Sequence, residues 1–340
     1  MGKVVTFGEI MLRMAPRGYL KFIQADNFDI NYTGAEANIC VSLSNFGLDT
    51  SFVTKLPDND ISRVALSTLK KFGVGVGEVV FGGDRMGTYY LERGASQRPS
   101  KVIYDRKYSS ISMSSGSDYD WKTIFKNAEW FHFTGITAAL SDGMPAICEE
   151  ACKAAKAAGV RISCDLNYRK NLWSPENAQR VMSALVSYCD VIIGNEEDAD
   201  KTLGIKPPRT DVQSGKLDPE AYAETARLIQ EKYGCDGVAF TLRTSRSASD
   251  NAWAGMYYTA GKAHYSKSYD IHMVDRVGGG DSFGAGLIYA LISKMDAQKA
   301  IEFAVAASCL KQTMEFDFNL ATVDDVKRLM GGDGSGRVQR

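Results

Sequence analysis

The chain alternates short apolar runs of β-strand length with longer segments that suit helices. Helix candidates are residues 144–159, 175–189 and 220–234, and in the last of these the apolar residues recur at helical spacing. The strand candidates are residues 4–9, 51–56, 130–135, 160–166, 190–195 and 237–242. Apolar strands that alternate with helices are typical of a parallel sheet covered on both faces. The pattern therefore predicts a doubly wound α/β fold with a mostly parallel sheet.

Two stretches depart from this rhythm, at about residues 11–33 and 84–112. Both contain short segments rich in aromatic and charged residues, in which polar and apolar positions alternate. This alternation is typical of a small sheet with one face in water. We expect both insertions to form one β-sheet lid on a single α/β domain over residues 1–330. The polar, glycine-rich end, residues 331–340, is predicted to be a flexible tail.

Composition and charge favour a soluble enzyme or binding protein of ordinary character. The 340 residues carry a formal net charge of −1, and acidic and basic residues are interspersed. Neither a nucleic-acid partner nor a membrane partner is indicated. The seven cysteines form no CxxC pair and the N-terminus lacks a secretory pattern, so we expect reduced thiols and a cytoplasmic location.

The most informative stretch is residues 274–292, where three glycines precede Asp281 and an apolar helix follows. Backbone N–H groups at a helix N-terminus bind anions, and glycine lets an anion approach closely. Gly278, Gly279 and Gly280 are therefore expected to cradle a phosphate or a developing negative charge. A carboxylate would repel that anion, but its presence is explained if it takes a proton from a nucleophile that attacks phosphorus. The alternative is a glycine-rich loop with an N-capping aspartate.

Two motifs carry a family resemblance. Residues 275–287, DRVGGGDSFGAGL, resemble the C-terminal signature of ribokinase-type carbohydrate kinases, the PfkB family. Residues 31–47, NYTGAEANICVSLSNFG, resemble the glycine-rich substrate segment near the N-terminus of that family. The resemblance implies a ribokinase-like fold and phosphorylation of a sugar hydroxyl by ATP and Mg²⁺. It also implies a homo-oligomer formed through the lid, and it leaves open a monovalent cation near Asp275.

The resemblance assigns roles to the glycine turn. Asp281 is expected to be the general base. The backbone amides of Gly279, Gly280 and Asp281 are expected to form an anion hole for the phosphoryl group in transfer. Positioning and charge neutralisation supply most of the catalysis in such a reaction. The family usually has Gly-Ala-Gly-Asp here, and Gly279 stands in place of the alanine.

A second segment, GNEEDA at residues 194–199, resembles the magnesium-linked motif of the family. Asn195 matches, and Asp198 replaces the usual glutamate, so it is expected to act on Mg²⁺ through a water. Glu197 is an alternative, and an ordinary helix start with acids in its first turn is another. The residues expected to contact ATP are Asn195, Thr241, Arg243 and Gly280.

Within the family the sequence looks most like kinases of 2-keto-3-deoxygluconate. Tyr104 and Arg106 match a Tyr-x-Arg segment that reaches over an acid sugar. Arg169 follows a strand end, where open α/β sheets bind ligands, and an arginine there can pair bidentately with a carboxylate. The resemblance implies 2-keto-3-deoxy-6-phosphogluconate as product. Further substrate contacts are expected from Gly34, Asn38, Tyr90 and Ile136.

Two other functions remain open at this point. A fructokinase or another ketose kinase of the same family would share the base and the anion hole. A non-catalytic sensor of sugar acids would share the pocket but dispense with the base. Tyr90 has its own alternative, because a residue on an alternating strand can equally face the core of the lid.

Overall fold

Strands and helices alternate along most of the chain, as the hydrophobic pattern predicts. The computed structural model describes residues 2–206 and 218–334. Within these ranges the strands are β1 (Lys3–Phe7), β2 (Met11–Ala15), β3 (Asp29–Thr33), β4 (Thr50–Val53), β5 (Lys55–Leu56), β6 (Val80–Phe81), β7 (Gly87–Glu92), β8 (Lys101–Asp105), β9 (Ala128–Thr134), β10 (Arg161–Asp165), β11 (Val191–Gly194), β12 (Gly237–Ser245), β13 (Asp250–Thr259), β14 (Lys262–Tyr265) and β15 (Tyr269–His272). The helices are α1 (Ala35–Asn45), α2 (Asp60–Lys71), α3 (Trp121–Ile124), α4 (Gly135–Ala138), α5 (Met144–Ala157), α6 (Pro175–Leu185), α7 (Glu196–Leu203), α8 (Pro219–Tyr233), α9 (Gly279–Ile292), α10 (Ala297–Lys311) and α11 (Val323–Met330).

The large sheet has nine strands among the described residues, in the order β14-β13-β12-β11-β10-β9-β1-β4, with β15 also paired to β13. All neighbours from β4 to β12 are parallel, and β13 joins the edge antiparallel to β12. The predicted strands correspond to β1, β4 with β5, β9, β10, β11 and β12. Parallel strands place their carboxyl ends at one edge of the sheet, where open α/β folds bind ligands.

Side chains of the central strands alternate between two cores, one on each face of the sheet. Val5 and Phe131 pack with helices α5, α6 and α8 on one face. Val4 and Trp130 pack with α1, α9 and α10 on the other. Successive residues of a strand point to opposite faces, so continuous apolar runs are needed where both faces are covered. This architecture confirms the predicted α/β class with helices on both faces.

A second, four-stranded sheet has the order β3-β2-β7-β8. Strands β2 and β3 come from the segment 11–33, and β7 and β8 come from the segment 84–112, so the two insertions form one sheet. We call this sheet the lid. All five residues of β8 are exposed, and apolar side chains such as Ile30 and Ile103 also face solvent. The homo-oligomer through the lid stays a prediction.

Other predictions concern the chain end and the thiols. The last six residues of the predicted tail, 335–340, lie outside the described residues. All seven cysteines are buried and none is in a disulfide within the described ranges. In the part of the chain that the structure describes, every helix is too short or too polar to span a bilayer.

A buried ion-pair cluster joins the lid to the turn that precedes α9. Arg13 on β2 is 1% exposed and donates to Asp275 Oδ2 at 2.6 Å and to Asp317 Oδ1. The hydroxyl of Tyr89 on β7 donates to Asp317 Oδ2 at 2.8 Å. Buried charges of this kind are tolerated only when each has its partner. Two lid strands are thereby attached to the segments on both sides of α9 and α10.

Replacing Arg13 with methionine should lower the free energy of unfolding by about 3–5 kcal/mol, because two buried carboxylates lose their guanidinium partner. Urea unfolding followed by circular dichroism measures the change. Arg17→Met is the matched control, since Arg17 pairs with Asp29 at 3.0 Å with its side chain 70% exposed, and such pairs contribute about 1 kcal/mol or less. Equal losses for the two variants would contradict the assignment of Arg13 as an anchor.

Candidate active site

A cavity of about 860 Å³ lies between the lid and the carboxyl ends of the parallel strands. Tyr89 and Tyr104 line it from the lid, Asp165 and Gly194 from the ends of β10 and β11, and Gly278 from the start of α9. The cavity thus occupies the edge at which open α/β sheets bind ligands. The predicted site residues that line it are Gly34, Asn38, Tyr104, Arg106, Ile136, Arg169, Asn195, Glu197, Asp198, Thr241, Arg243, Gly278, Gly280 and Asp281.

The structure places two predicted residues, Tyr90 and Gly279, outside this lining. The ring of Tyr90 packs edge-on against Phe28 with the centroids 6.1 Å apart. Tyr89 lines the cavity instead, because neighbouring residues of β7 face opposite sides of the lid. Gly279 is buried beside Gln312, and its N–H donates to the carbonyl of Arg276 at 3.3 Å. The expected contribution of the Gly279 amide to the anion hole is corrected accordingly.

The turn before α9 requires glycine at one position. Gly278 has φ of 82°, in the left-handed region, and a Cβ there would lie 2.1 Å from the Asp317 carbonyl oxygen. Its own carbonyl accepts from Ser282 N at 2.9 Å, which starts the helix. The amides of Gly280 and Asp281 have no acceptor among the described residues. Free amides in the first turn of a helix form an anion-binding site.

Asp281 lies in the first turn of α9, half-buried at the cavity wall. The amide of Asn38, from α1, donates to Asp281 Oδ2 at 2.6 Å. Thr33, the last residue of β3, donates its hydroxyl to Asn38 Oδ1 at 2.8 Å. This second bond orients the amide so that its NH₂ group faces the carboxylate. The two signature segments therefore meet at Asp281.

Loss of hydration raises the pKa of Asp281 to about 6. The hydrogen bond from Asn38 lowers this pKa, and the charge of Asp317 raises it. Arg169 and Lys311 both lower it. A carboxylate whose pKa lies near neutrality and which faces a ligand cavity is suited to general-base catalysis.

Two further carboxylates share the cavity with Asp281. Burial raises the pKa of Asp165 well above its usual range, and the charges of Asp198 and Asp281 add to this effect. Burial also raises the pKa of Asp198 to about 6, against the charge of Arg169 and a hydrogen bond from Tyr168 N. Asp165 is therefore close enough to both other acids to be repelled by them, and the charge of Arg169 offsets part of this repulsion.

Asn195 and Asp198 form a capping box at the start of α7. Asn195 Oδ1 accepts from Asp198 N at 2.9 Å, and Asp198 Oδ2 accepts from Asn195 N at 3.2 Å. Asp198 Oδ1 accepts from Tyr168 N at 2.9 Å. The ordinary helix start weighed from the sequence is thus present. Both side chains still line the cavity, as does the exposed Glu197.

The two arginines expected to grip an acid sugar have different surroundings. Arg106 is buried and donates Nε to Glu9 Oε2 at 2.8 Å and Nη2 to the same oxygen. Its guanidinium lies 5.3 Å from the ring centroid of Tyr104. Arg169 is exposed, donates to the Tyr168 carbonyl at 3.0 Å, and has no carboxylate partner among the described residues. Of these two arginines, only Arg169 therefore lacks a direct ion-pair partner, although its charge acts on Asp198 and Asp281 from a distance.

The comparison with protein families decides the class. The family model described as "pfkB family carbohydrate kinase" matches residues 1–314. This chain belongs to the pfkB family of carbohydrate kinases. The resemblance stated from the two signature motifs is confirmed, and the ribokinase-like fold with it.

Individual relatives in the pfkB family agree with this assignment. The crystal structure of 2-dehydro-3-deoxygluconokinase from Thermotoga maritima is 48% identical, with a TM-score of 0.94, and the match covers 98% of this chain and all of that one. A 2-dehydro-3-deoxygalactonokinase of Haloferax volcanii is 29% identical over 98% of both chains. A 2-dehydro-3-deoxygluconokinase of Thermoproteus tenax is 27% identical over 91% of this chain and 88% of its own. The chain therefore resembles kinases of two different deoxy sugar acids.

The carboxylates of this pfkB-family site suit a hydrated Mg²⁺. Asp198 and Asp281 raise the pKa of Asp165, and all three supply hard oxygen donors. In the described ranges no group of three or more His, Cys, Asp or Glu side chains could hold a metal. Mg²⁺ commonly keeps several waters and takes only one or two carboxylates together with substrate phosphates. The donor set fits that mode of binding, in which Asn195 and Asp198 would act through water.

A monovalent cation at Asp275 does not fit the residues present. Asp275 Oδ2 accepts from Arg13 at 2.6 Å, and Oδ1 accepts from Val277 N at 3.1 Å. The carbonyl oxygen of Asp275 accepts from Lys311 Nζ at 2.9 Å, and Lys311 is fully buried. Two cations of the chain already hold this residue, and a third would be repelled by both.

Several cavity residues were not selected from the sequence. Glu9 follows β1 and Asp165 is the last residue of β10. This position at the end of a central strand was the signal in the sequence that could have indicated a ligand contact. Glu36 is buried, and its Oε1 accepts from the backbone N–H of Thr134 and from the hydroxyls of Thr134 and Thr137. These bonds hold α4, which carries Ile136, against α1. Tyr89 and Arg276 also line the cavity.

The pH dependence of kcat/KM should follow the ionisation of the Asp281 carboxylate. Only the ionised form accepts a proton, so we expect kcat/KM to fall as the pH drops below about 6. Asn38→Ala removes a donor that favours the charged form, so the acid limb should move to higher pH. Initial rates between pH 5 and 9 measure both profiles.

Ser42→Ala is the matched control for this experiment. Ser42 lies on the same helix, and its hydroxyl donates to the Asn38 carbonyl at 2.8 Å and does not contact the Asp281 carboxylate. Its acid limb should coincide with that of the parent protein. Ionisation of the substrate affects all three proteins equally. If the acid side of the kcat/KM profile has the same midpoint in Asn38→Ala as in the parent, the group that titrates there is not Asp281.

Proposed function

We propose that this pfkB-family protein is an ATP-dependent kinase of a 2-keto-3-deoxy sugar acid, with 2-keto-3-deoxygluconate as the substrate and its 6-phosphate as the product. The observation that carries the proposal is the meeting of Asp281, the free amides of the α9 first turn and Arg169 in one cavity. The 48% identity with a 2-dehydro-3-deoxygluconokinase supports the choice of sugar.

The chemistry follows from these groups. Asp281 takes the proton of the sugar hydroxyl as that oxygen bonds to the γ-phosphorus of ATP, and the bond from phosphorus to the bridging oxygen of ADP breaks. The amides of Gly280 and Asp281 hold the oxygens of the phosphoryl group in transfer. Mg²⁺, when bound, supplies positive charge to the phosphates. Asn38 holds the carboxylate in place through its hydrogen bond at 2.6 Å.

The preference for an acid rests on Arg169. Arg106 already has Glu9 as its counter-ion, so its charge adds little attraction for a second carboxylate. Arg169 has no such partner among the described residues. A neutral ketose offers Arg169 no ion pair, whereas a sugar carboxylate can accept two of its N–H groups.

A second candidate is the corresponding galactonate acid. The 29% identity with a 2-dehydro-3-deoxygalactonokinase, over 98% of both chains, favours it. The two sugars carry the same carboxylate, so Arg169 would bind both. They differ in the direction of one hydroxyl group, which must be selected by hydrogen bonds rather than by charge.

An ADP-release assay with the two deoxy sugar acids, fructose and ribose tests the proposal. We expect release with the acids and little with the neutral sugars. Asp281→Asn should lower turnover by about 10²–10⁴-fold, since a positioned base contributes that much, and should keep sugar binding. Release with fructose alone would indicate a ketose kinase, and binding without release would indicate a sensor. Near-normal turnover in Asp281→Asn would reject the base.

Arg169→Ala should lower kcat/KM for the acid sugar. The loss should correspond to about 1.5–3 kcal/mol of transition-state stabilisation, which is the contribution of a charge-assisted hydrogen bond. An analogue with a hydroxymethyl group in place of the carboxylate should lose much less. Arg180→Ala is the control, because Arg180 lies on α6 and donates to Asn177 Oδ1 at 2.7 Å, outside the cavity lining. Equal losses for acid and analogue would show that Arg169 does not bind the carboxylate.

A further inference from the structure

Arg276 lines the cavity but takes no part in the proposed reaction. It lies in the turn between β15 and α9, five positions before Asp281, and it lines the cavity half-buried. Its carbonyl accepts from Gly279 N. In the described ranges its guanidinium has neither a hydrogen-bond nor an ion-pair partner. A guanidinium has five N–H donors, so a half-buried one without a partner has its full capacity for an anion.

The carboxylate that precedes Arg276 in the sequence is already engaged. Asp275 precedes Arg276, but its Oδ2 accepts from Arg13 and its Oδ1 from Val277 N. The ion pair with Arg13 is buried on both sides. Asp275 therefore holds the turn in place and leaves the Arg276 side chain for something outside the chain.

A second unpartnered arginine faces the same space. Arg243, on β12, lines the cavity, is exposed and has no ion-pair partner among the described residues. Burial lowers the pKa of Arg276 and the charge of Arg243 lowers it further, while the charge of Asp275 raises it, so the two guanidinium groups repel each other and Asp275 offsets part of this repulsion. Like charges in a half-buried cleft are unfavourable in the free protein, and an anion between them removes the repulsion.

The neighbouring wall also has unused hydrogen-bonding groups. Asn251 and Trp253 on β13 line the cavity beside β12, where Trp253 pairs with Arg243 across the strands. Asn251 Oδ1 and Trp253 Nε1 are buried without a partner. The indole N–H of Trp253 and the free amides of Gly280 and Asp281 are donors for a ligand with many acceptor oxygens, whereas Asn251 Oδ1 can only accept.

We infer that Arg276 and Arg243 clamp the polyphosphate chain of the nucleoside triphosphate, and that Arg276 contacts the phosphoryl group in transfer. The inference rests on the proposed kinase function and adds a residue to its phosphate site. Position supports it, because Arg276 and Asp281 lie on either side of the glycine turn. A planar guanidinium matches two phosphate oxygens at once, so it can both hold the chain and offset charge on its terminal group.

Calorimetry with a non-hydrolysable ATP analogue (AMP-PNP with Mg²⁺), tripolyphosphate and adenosine tests the clamp. Arg276→Met should weaken binding of the analogue and of tripolyphosphate by about 10- to 100-fold, as expected for loss of a charge-assisted contact. Adenosine should bind as it does to the parent protein. Arg276→Lys, which keeps charge but loses the bidentate fork, should fall between.

Arg246→Met is the matched control. Arg246 follows β12 and pairs with Asp270 at 2.7 Å, away from the cavity lining. It should bind all three probes like the parent. In thermal unfolding without ligand, Arg276→Met should be about as stable as the parent, because its side chain makes no hydrogen bond or ion pair in the described residues and the lost attraction to Asp275 is set against the lost repulsion from Arg243. Its stabilisation by the analogue should be smaller.

Two results would overturn the inference. One is unchanged binding of the analogue and of tripolyphosphate to Arg276→Met. The other is a loss of binding that appears only in a parallel titration with 2-keto-3-deoxygluconate, which would make Arg276 a carboxylate contact instead. None of the three probes is a sugar acid, so a failure to phosphorylate 2-keto-3-deoxygluconate would reject the proposed substrate without changing what the probes show about Arg276.

Discussion

The buried pairing of Arg13 with Asp275 and Asp317 holds the site together. Arg13 belongs to the lid, Asp275 to the turn before α9, and Asp317 to the segment after α10. Lys311 adds a fourth charge by donating to the Asp275 carbonyl. Two positive and two negative groups therefore balance out of water, which is the condition for burying them. Removing any one leaves the others uncompensated, so lid and turn keep a fixed relation.

This cluster explains why the glycine turn can serve as an anion site. The carbonyl of Asp317 lies where a Cβ of Gly278 would be, so the backbone at that point is held by close packing as well as by its left-handed φ. The amides of Gly280 and Asp281 then face the cavity without needing to rearrange. Preorganised donors of this kind stabilise developing charge without a reorganisation cost at the moment of reaction.

Without ligands, the cavity contains two kinds of like-charge repulsion, one between carboxylates and one between guanidinium groups. Asp198 and Asp281 repel Asp165, while Arg243 and Arg276 repel each other nearby. Groups with shifted pKa values or unmet charges cost stability and cluster where ligands bring the missing charge. In the proposed reaction Mg²⁺ would meet the acids and phosphate would meet the arginines. The charges of the Arg13 cluster are paired with one another. The cluster therefore differs from the neighbouring cavity, whose charged groups require a bound ligand for their partners.

The pattern of residues determined the class of fold and the place of the chemistry. Apolar runs alternating with helical periodicity specify the doubly wound sheet, because the two periods are local and each must bury a face. Three glycines before Asp281 indicate the anion turn. The helix start after Asn195, with acids in its first turn, could also be recognised from neighbouring residues. What local pattern could not decide was which side of β7 faces the cavity, so Tyr90 was expected where Tyr89 lies.

Tertiary structure decided the partners of the charges. Arg106 meets Glu9 across 97 positions, and Arg13 meets Asp275 across 262. No periodicity or capping rule connects residues that far apart, so the sequence alone presented Arg106 as a free contact for an acid sugar and Asp275 as open to a cation. Packing brings a counter-ion to each of them and, among the residues that the structure describes, leaves Arg169, Arg243 and Arg276 without a direct ion pair. The uncompensated charges that a ligand can meet are therefore set by long-range contacts, because only the folded chain shows which opposite charges are already paired.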